Sequence, residues 1–265
     1  DEDPDLRDLW RMDVASGKKD ILLSAERVAD LAPHTNKATA NERERERRQR
    51  YSAAGYRWCA DSDTILFSGS GSLVLFDTAK GSTRVVLPEV GDARDAKCSP
   101  DGRWISFIRA NDLWVAPTGS GKARRLTFGG SDTLLHGALD WLYEEEFQAR
   151  NGYFWSPDSR RIAFIEIREE RVPLYPIPNL LGASPQVDLQ RYPRAGDANP
   201  EVRVGVVSVA GKRKRPPVKW APVEAEYIPR FSWADDERLS IQSLDRAQRR
   251  LELGLFDVTK NRYYP

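Results

Sequence analysis

The sequence predicts an all-β fold of the β-propeller type, and three observations carry that expectation. Four segments share one pattern: "CADSDTILF" from Cys59, "CSPDGRWISF" from Cys98, "WSPDSRRIAF" from Trp155 and "WADDERLSI" from Trp233. The runs after each motif alternate apolar and polar residues with a period of two, as half-buried strands do, and no comparable set of helical stripes appears. The first two motif starts lie 39 residues apart, the length of one four-stranded blade, and the next intervals of 57 and 78 fit a blade plus insertions.

Each element follows from its residues. Every motif gives an apolar residue, a tight turn and a β-type run. Pro100 and Pro157 preset the turn's φ, while Asp101–Gly102 and Asp158–Ser159 suit its later positions. Second strands are expected at "SLVLFD" (72–77), "DLWVAP" (112–117), "VRVGVVSV" (202–209) and "LELGLFDV" (251–258). Third strands are expected at "TRVVLP" (83–88) and "ARRLTF" (123–128), and "DLWRMDVASGKKDILLS" (8–24) opens the chain as a fragment of the same type. About four blades and a fragment are visible across 1–265, few for a closed ring. The reading is therefore of a partial propeller domain belonging to a longer protein.

Two segments break the repeat. Residues 26–54 contain "NERERERRQR", whose helix formers and i,i+4 pairs Glu44–Arg48 and Glu46–Arg50 predict a charged helical arm. Residues 166–200 are proline-rich and read as an irregular excursion between strands, a common place for function on a rigid scaffold.

Composition excludes several classes. The net charge of +1 provides no global field for nucleic acid or a membrane surface, and no apolar run is long enough to span a bilayer. No signal peptide is read at "DEDPDLRDLW". Cys59 and Cys98 occupy matching points of the repeat where a small buried apolar residue is wanted, so free buried thiols are expected over a disulfide.

His34 and His136 are the only histidines and no G-x-S-x-G elbow is present, so nucleophilic hydrolysis has no home in this chain. "TGSGK" (118–122) lacks the Walker pattern at Ala116 and Ala123 and reads as a hairpin turn. Metal and cofactor sites are not expected.

The charged motif "YEEEF" (143–147) has two readings. One is a solvated helix turn with Asp140 as N-cap and acids near the positive end of the helix. The other is a pair of adjacent carboxylates converging on one cation, with Trp141, Tyr143 and Phe147 lowering the local dielectric. "NERERERRQR" reads as a solvated alternating-charge helix, with one arginine reaching the glutamates as a further option.

"DWLYEEEF", then "GYFWSPDSRRIAF", "RVPLYPIP" and "RYPRAGDANPEVRVGVVSV" along 140–209 resemble the N-terminal β-propeller of dipeptidyl peptidase IV-type serine peptidases, of the prolyl oligopeptidase-like group. The resemblance implies part of an eight-bladed propeller set over an α/β-hydrolase domain that carries Ser, Asp and His. It implies removal of Xaa-Pro or Xaa-Ala dipeptides from free N-termini, with Glu145 and Glu146 gripping the substrate's α-ammonium. An arm arginine, Arg43 with Arg45 as the alternative, would contact a substrate carbonyl. Tyr143, Tyr192, Gly196 and Asn199 fall in the same signature and are assigned a structural role beside the site. Implied partners are a peptide with a free N-terminus, the chain's own hydrolase domain and a second copy in a homodimer, in the periplasm or secreted space of a bacterium or alternatively the cytoplasm. The competing class is a non-enzymatic interaction propeller.

Overall fold

The computed structural model describes residues 8–24, 26–27, 56–69, 72–88, 93–119, 122–179, 186–211 and 214–265. The charged arm, including Arg43 and Arg45, lies outside them apart from Glu26 and Arg27.

The shared motif builds related turns. Its aspartate folds the turn by accepting backbone N–H groups: Asp61 Oδ1 takes those of Asp63 and Thr64 at 3.1 and 2.9 Å, and Asp235 Oδ1 those of Glu237 and Arg238 at 2.9 and 2.8 Å. The left-handed position falls on Ser62, Gly102 and Ser159, at φ 59°, 70° and 61°. Beyond the turn, the chain re-enters as a strand.

Contacts divide the chain into two compact units. The first comprises Asp1–Cys98, Gly102–Phe107 and Ala116–Lys122, and the second Ser99–Asp101, Ile108–Val115 and Ala123–Pro265.

In the first unit, β1 (Leu9–Met12) and β2 (Lys19–Leu23) form an antiparallel hairpin. β3 (Tyr56–Trp58), β4 (Thr64–Gly69), β5 (Ser72–Asp77) and β6 (Ser82–Leu87) form a four-stranded meander in that order. Leu23, Ile65 and Phe76 make a buried cluster against which Leu9, Leu22, Tyr56 and Phe67 pack. Cys59 and Cys98 are joined in a disulfide with Cα atoms 5.3 Å apart, which corrects the expectation of free thiols. The reason lies in the repeat itself. Equivalent joints of successive blades lie side by side, so matching positions come within bridging range.

The next sheet has the order β10-β9-β8-β7, from β7 (Arg94–Cys98), β8 (Trp104–Arg109), β9 (Asp112–Pro117) and β10 (Arg124–Arg125). β9 and β10 pair antiparallel, so "TGSGK" falls between hairpin strands as its residues predicted.

The second unit holds a five-stranded sheet built on β13 (Arg161–Arg168), which is buried on both faces over its interior. β16 (Glu201–Ser208) pairs with it along its whole length, and β17 (Val218–Trp220) follows. On the other side of β13 stand β11 (Leu134–His136) and β12 (Tyr153–Trp155), two halves of one interrupted edge strand. A last four-stranded meander comprises β18 (Phe231–Trp233), β19 (Arg238–Leu244), β20 (Leu251–Asp257) and β21 (Arg262–Tyr264). Trp155 and Trp233, which open the third and fourth motifs, are partly buried.

The stretch 166–200 is more regular than its prolines predict. β14 (Leu174–Asn179) and β15 (Gln186–Arg191) pair in a separate two-stranded hairpin. Leu174, Pro176, Pro178, Val187 and Leu189 share one of its faces, which is exposed. A strand tolerates Pro176 and Pro178 because an edge position needs no N–H on its outer side.

Candidate functional site

The interrupted edge strand places the glutamates. β11 ends beside Glu166 of β13, and β12 resumes beside Phe164. Between them, Gly137 N–H donates to Ile165 O at 2.8 Å and Ile165 N–H donates to Gly152 O at 2.9 Å. The excursion 138–151 thus leaves and returns at a single residue of β13. Its neck is so narrow that a Cβ at Gly152 would lie 2.2 Å from Gly137 O, and Gly137 itself has φ 75°. Only glycine closes such a neck.

The excursion carries α1 (Trp141–Glu145). Asp140 caps it as the sequence predicts, Oδ1 accepting the Tyr143 N–H at 3.0 Å. Glu146 is the C-cap, its own N–H donating to Leu142 O at 3.0 Å. One turn of helix has little stability of its own, so its neighbours must hold it. Tyr143, 1% exposed, points inward, and its hydroxyl accepts the Ile228 N–H at 2.9 Å. Burial raises its pKa above the usual phenol range. Tyr143 packs on Phe147 at 5.2 Å between ring centroids, and Phe147 on Tyr227 at 5.4 Å. Arg230 donates to Phe147 O at 2.8 Å, bringing a cation to the negative end of the helix. With the inner residues held, Glu145 and Glu146 are left on the exposed side.

The "RYPRAGDANP" loop abuts the same helix. Tyr192 meets Trp141 edge-on, with centroids 4.5 Å apart. Asn199 Nδ2 donates to Tyr227 OH and Glu226 Oε1, each at 2.7 Å. Gly196, at φ 92°, shapes the turn in which Arg194 N–H donates to Asp197 Oδ2 at 3.1 Å. A cavity of about 430 Å3 opens beside this loop, lined by Arg171, Asn199, Glu201, Glu224, Glu226 and Arg246 among others. Neither Glu145 nor Glu146 lines it. Its arginines are paired, Arg171 with Glu201 at 3.8 Å and Arg246 with Glu226 at 2.9 Å.

Two groups escaped the sequence reading. The segment 226–230 carries no motif, and its role comes entirely from where β18 places it. The other is a buried cluster just before the excursion. His136 Nδ1 lies 2.8 Å from Asp112 Oδ1 and its Nε2 3.1 Å from Glu166 Oε2. Arg168 and Arg203 each donate Nε to Glu166 Oε1 at 2.8 Å, and Arg125 pairs with Asp112. Burial disfavours the charge on His136, but its two carboxylate partners outweigh that and raise its pKa. Glu166 is likewise opposed by burial, yet His136, Arg203 and Arg168 hold it at about 2. A neutral imidazole has one N–H to give and two carboxylates to serve, so the imidazolium fits this position. The available signal was Glu166 itself, a charge inside the apolar run "IAFIEIR".

Among the described residues, no group of three or more His, Cys, Asp or Glu side chains is placed to hold a metal ion, and no helix is long and apolar enough to cross a membrane.

Blade-like meanders with a helix-bearing break in one edge strand define a β-propeller-type domain. The family model for the dipeptidyl peptidase IV N-terminal region matches residues 59–264, and the chain belongs to that family. It is 30% identical over 195 residues to a probable dipeptidyl peptidase 4 of Aspergillus flavus, covering 68% of this chain and 24% of that protein. It is 33% identical over 203 residues to the inactive dipeptidyl peptidase 10 of Mus musculus, covering 73% of this chain and 25% of that one. The crystal structure of Porphyromonas gingivalis dipeptidyl peptidase 4 superposes with a TM-score of 0.73 at 24% identity, over 99% of this chain and 37% of the other. The chain therefore spans about a quarter of the length of these curated relatives.

Proposed function

We propose that this domain recognises and gates substrate for a dipeptidyl peptidase IV-like serine exopeptidase that releases Xaa-Pro or Xaa-Ala dipeptides. Glu145 and Glu146 bind the substrate's α-ammonium, Arg43 or Arg45 meets a substrate carbonyl, and an α/β-hydrolase domain of the same protein supplies the nucleophile. The observation that carries the reading is the mounting of the two carboxylates. They are exposed, adjacent and at the end of a helix pinched at its base and tied at Tyr143 and Phe147.

The chemistry suits the task. A peptide's α-amino group has a pKa of about 7.7–8.0, so it is largely ammonium at neutral pH. Two carboxylates offer it charge-assisted hydrogen bonds, and a rigid base sets how far the chain reaches toward a nucleophile. The Cys59–Cys98 disulfide supports a periplasmic or secreted location, since such bonds persist in oxidising compartments. A homodimer is part of the same reading.

The test is hydrolysis of a Gly-Pro chromogenic amide by the full-length native protein, against its N-acetylated counterpart. Cleavage of the free amine alone, with kcat/KM falling roughly 10- to 1000-fold in Glu146→Gln, supports the clamp. Equal cleavage of both substrates, or an unchanged variant, overturns it. The second reading, an interaction propeller without enzymatic activity, draws on the exposed apolar face of the β14–β15 hairpin, where Leu174, Val187 and Leu189 are 52%, 62% and 56% exposed. No cleavage of either substrate favours it.

A further inference from the structure

The segment Glu226–Arg230 touches the glutamate helix or the loop beside it at four of its five residues. Ile228 binds Tyr143 OH in α1, and Arg230 binds Phe147 O just beyond the helix C-cap. Glu226 and Tyr227 both receive Asn199 Nδ2. Tyr227 is the one residue of the segment facing both ways, with its ring on Phe147 at 5.4 Å and its hydroxyl at Asn199, 2.7 Å away. Its backbone is fixed independently. Tyr227 N–H donates to Leu244 O at 3.1 Å and Leu244 N–H to Tyr227 O at 2.9 Å, which ties it to the end of β19.

Phe147 follows Glu146 directly, so whatever seats its ring sets where the second carboxylate emerges. Tyr227 supplies that seat from a neighbouring sheet, and Asn199 fixes the seat's tilt through the hydroxyl. Tyr143 and Arg230 also hold the helix and Phe147, and Tyr227 adds a contact on the ring next to Glu146. We propose that Tyr227 is a positioning residue for Glu145 and Glu146, acting through Phe147. This rests on the reading of those glutamates as the α-ammonium clamp.

The experiment is a double-mutant cycle in the full-length native protein with a Gly-Pro chromogenic amide: wild type, Tyr227→Phe, Glu146→Gln and the double variant. Tyr227→Phe keeps the ring and removes only the hydroxyl. Its kcat/KM should fall roughly 3- to 10-fold, as expected for one lost hydrogen bond. The loss should appear mainly in KM, because the ammonium is bound in ground and transition states alike. In the Glu146→Gln background the same change should cost nothing further, since there is no clamp left to aim. Asn199→Ala removes the same anchor from the other side and should reproduce the KM-borne loss, so the test survives if Tyr227→Phe folds poorly. Unchanged kinetics in both single variants while Glu146→Gln collapses overturns the inference and spares the clamp. Losses that multiply in the double variant also overturn it, since they mark a general structural role. An unchanged Glu146→Gln, or no cleavage by wild type, brings down the clamp and this inference together.

Discussion

Ile228 donates its backbone N–H to the hydroxyl of Tyr143 at 2.9 Å, across 85 residues of sequence and in a buried setting. Through this bond the segment leading into β18 holds the helix that grows from the broken edge of the preceding sheet. Replacing Tyr143 by Phe keeps the ring and orphans the Ile228 N–H, with Ile228 1% exposed. The expected cost is about 1–3 kcal/mol, since a buried donor then has no acceptor. Urea unfolding should show a lower midpoint at an unchanged m-value.

Gly152→Ala tests the neck of the excursion. The added Cβ would meet Gly137 O at 2.2 Å, a backbone atom that cannot rotate away. Overpacking of this kind costs about 1–3 kcal/mol. Because the neck is also the base of the helix, the loss of stability should come with a fall in kcat/KM on free-amine substrates. Thermal melts and kinetics on one preparation check both.

Glu146→Gln should separate function from folding. Its side chain is exposed, so the substitution should change stability by less than about 0.5 kcal/mol. A melt indistinguishable from wild type, beside a collapse in activity, assigns the carboxylate to binding.

The buried cluster predicts a pH profile with two edges. His136 has its pKa raised by Asp112 and Glu166 against the opposing effect of burial. Its contribution is therefore complete below the unfolded value of about 6.5 and lost as pH rises through the higher folded value. Glu166 sits at about 2 against the opposing effect of burial, so its contribution is present above its ordinary carboxylate range and lost as pH falls toward that value. Unfolding free energy measured from pH 4 to 9 should decline on the alkaline side. His136→Gln should flatten that alkaline decline; a decline that persists unchanged would show that another group titrates.

Reducing the Cys59–Cys98 bridge should destabilise the domain by about 2–4 kcal/mol, because its 39-residue separation closes a long loop in the unfolded chain. Melting with and without a thiol reductant gives the difference. Cys59→Ser should match the reduced wild type and respond no further to reductant.

Much of the architecture was legible in the residues. β5 and β9 occupy "SLVLFD" and "DLWVAP" as expected, and β16 and β20 lie within one residue of theirs. Alternation and the Asp-containing turn are local signals that need no partner. The Asp140 cap is local too, since its acceptor and donor are three residues apart. The β14–β15 hairpin was missed because Pro176 and Pro178 argue against a strand unless it lies at an edge, and edge status is decided by neighbours in space.

By itself the sequence determined the all-β class, the repeat, the turns and the helix that offers two adjacent glutamates, because each depends on residues within a few positions of one another. Tertiary structure alone decided the rest. Equivalent joints of successive blades had to lie side by side before Cys59 and Cys98 could pair. A neck closing on Ile165, a phenol reaching Ile228 and a ring from Tyr227 under Phe147 join residues far apart in sequence. Periodicity shows which face of a strand is buried, but not which distant side chain meets it there. That is set by how the sheets pack.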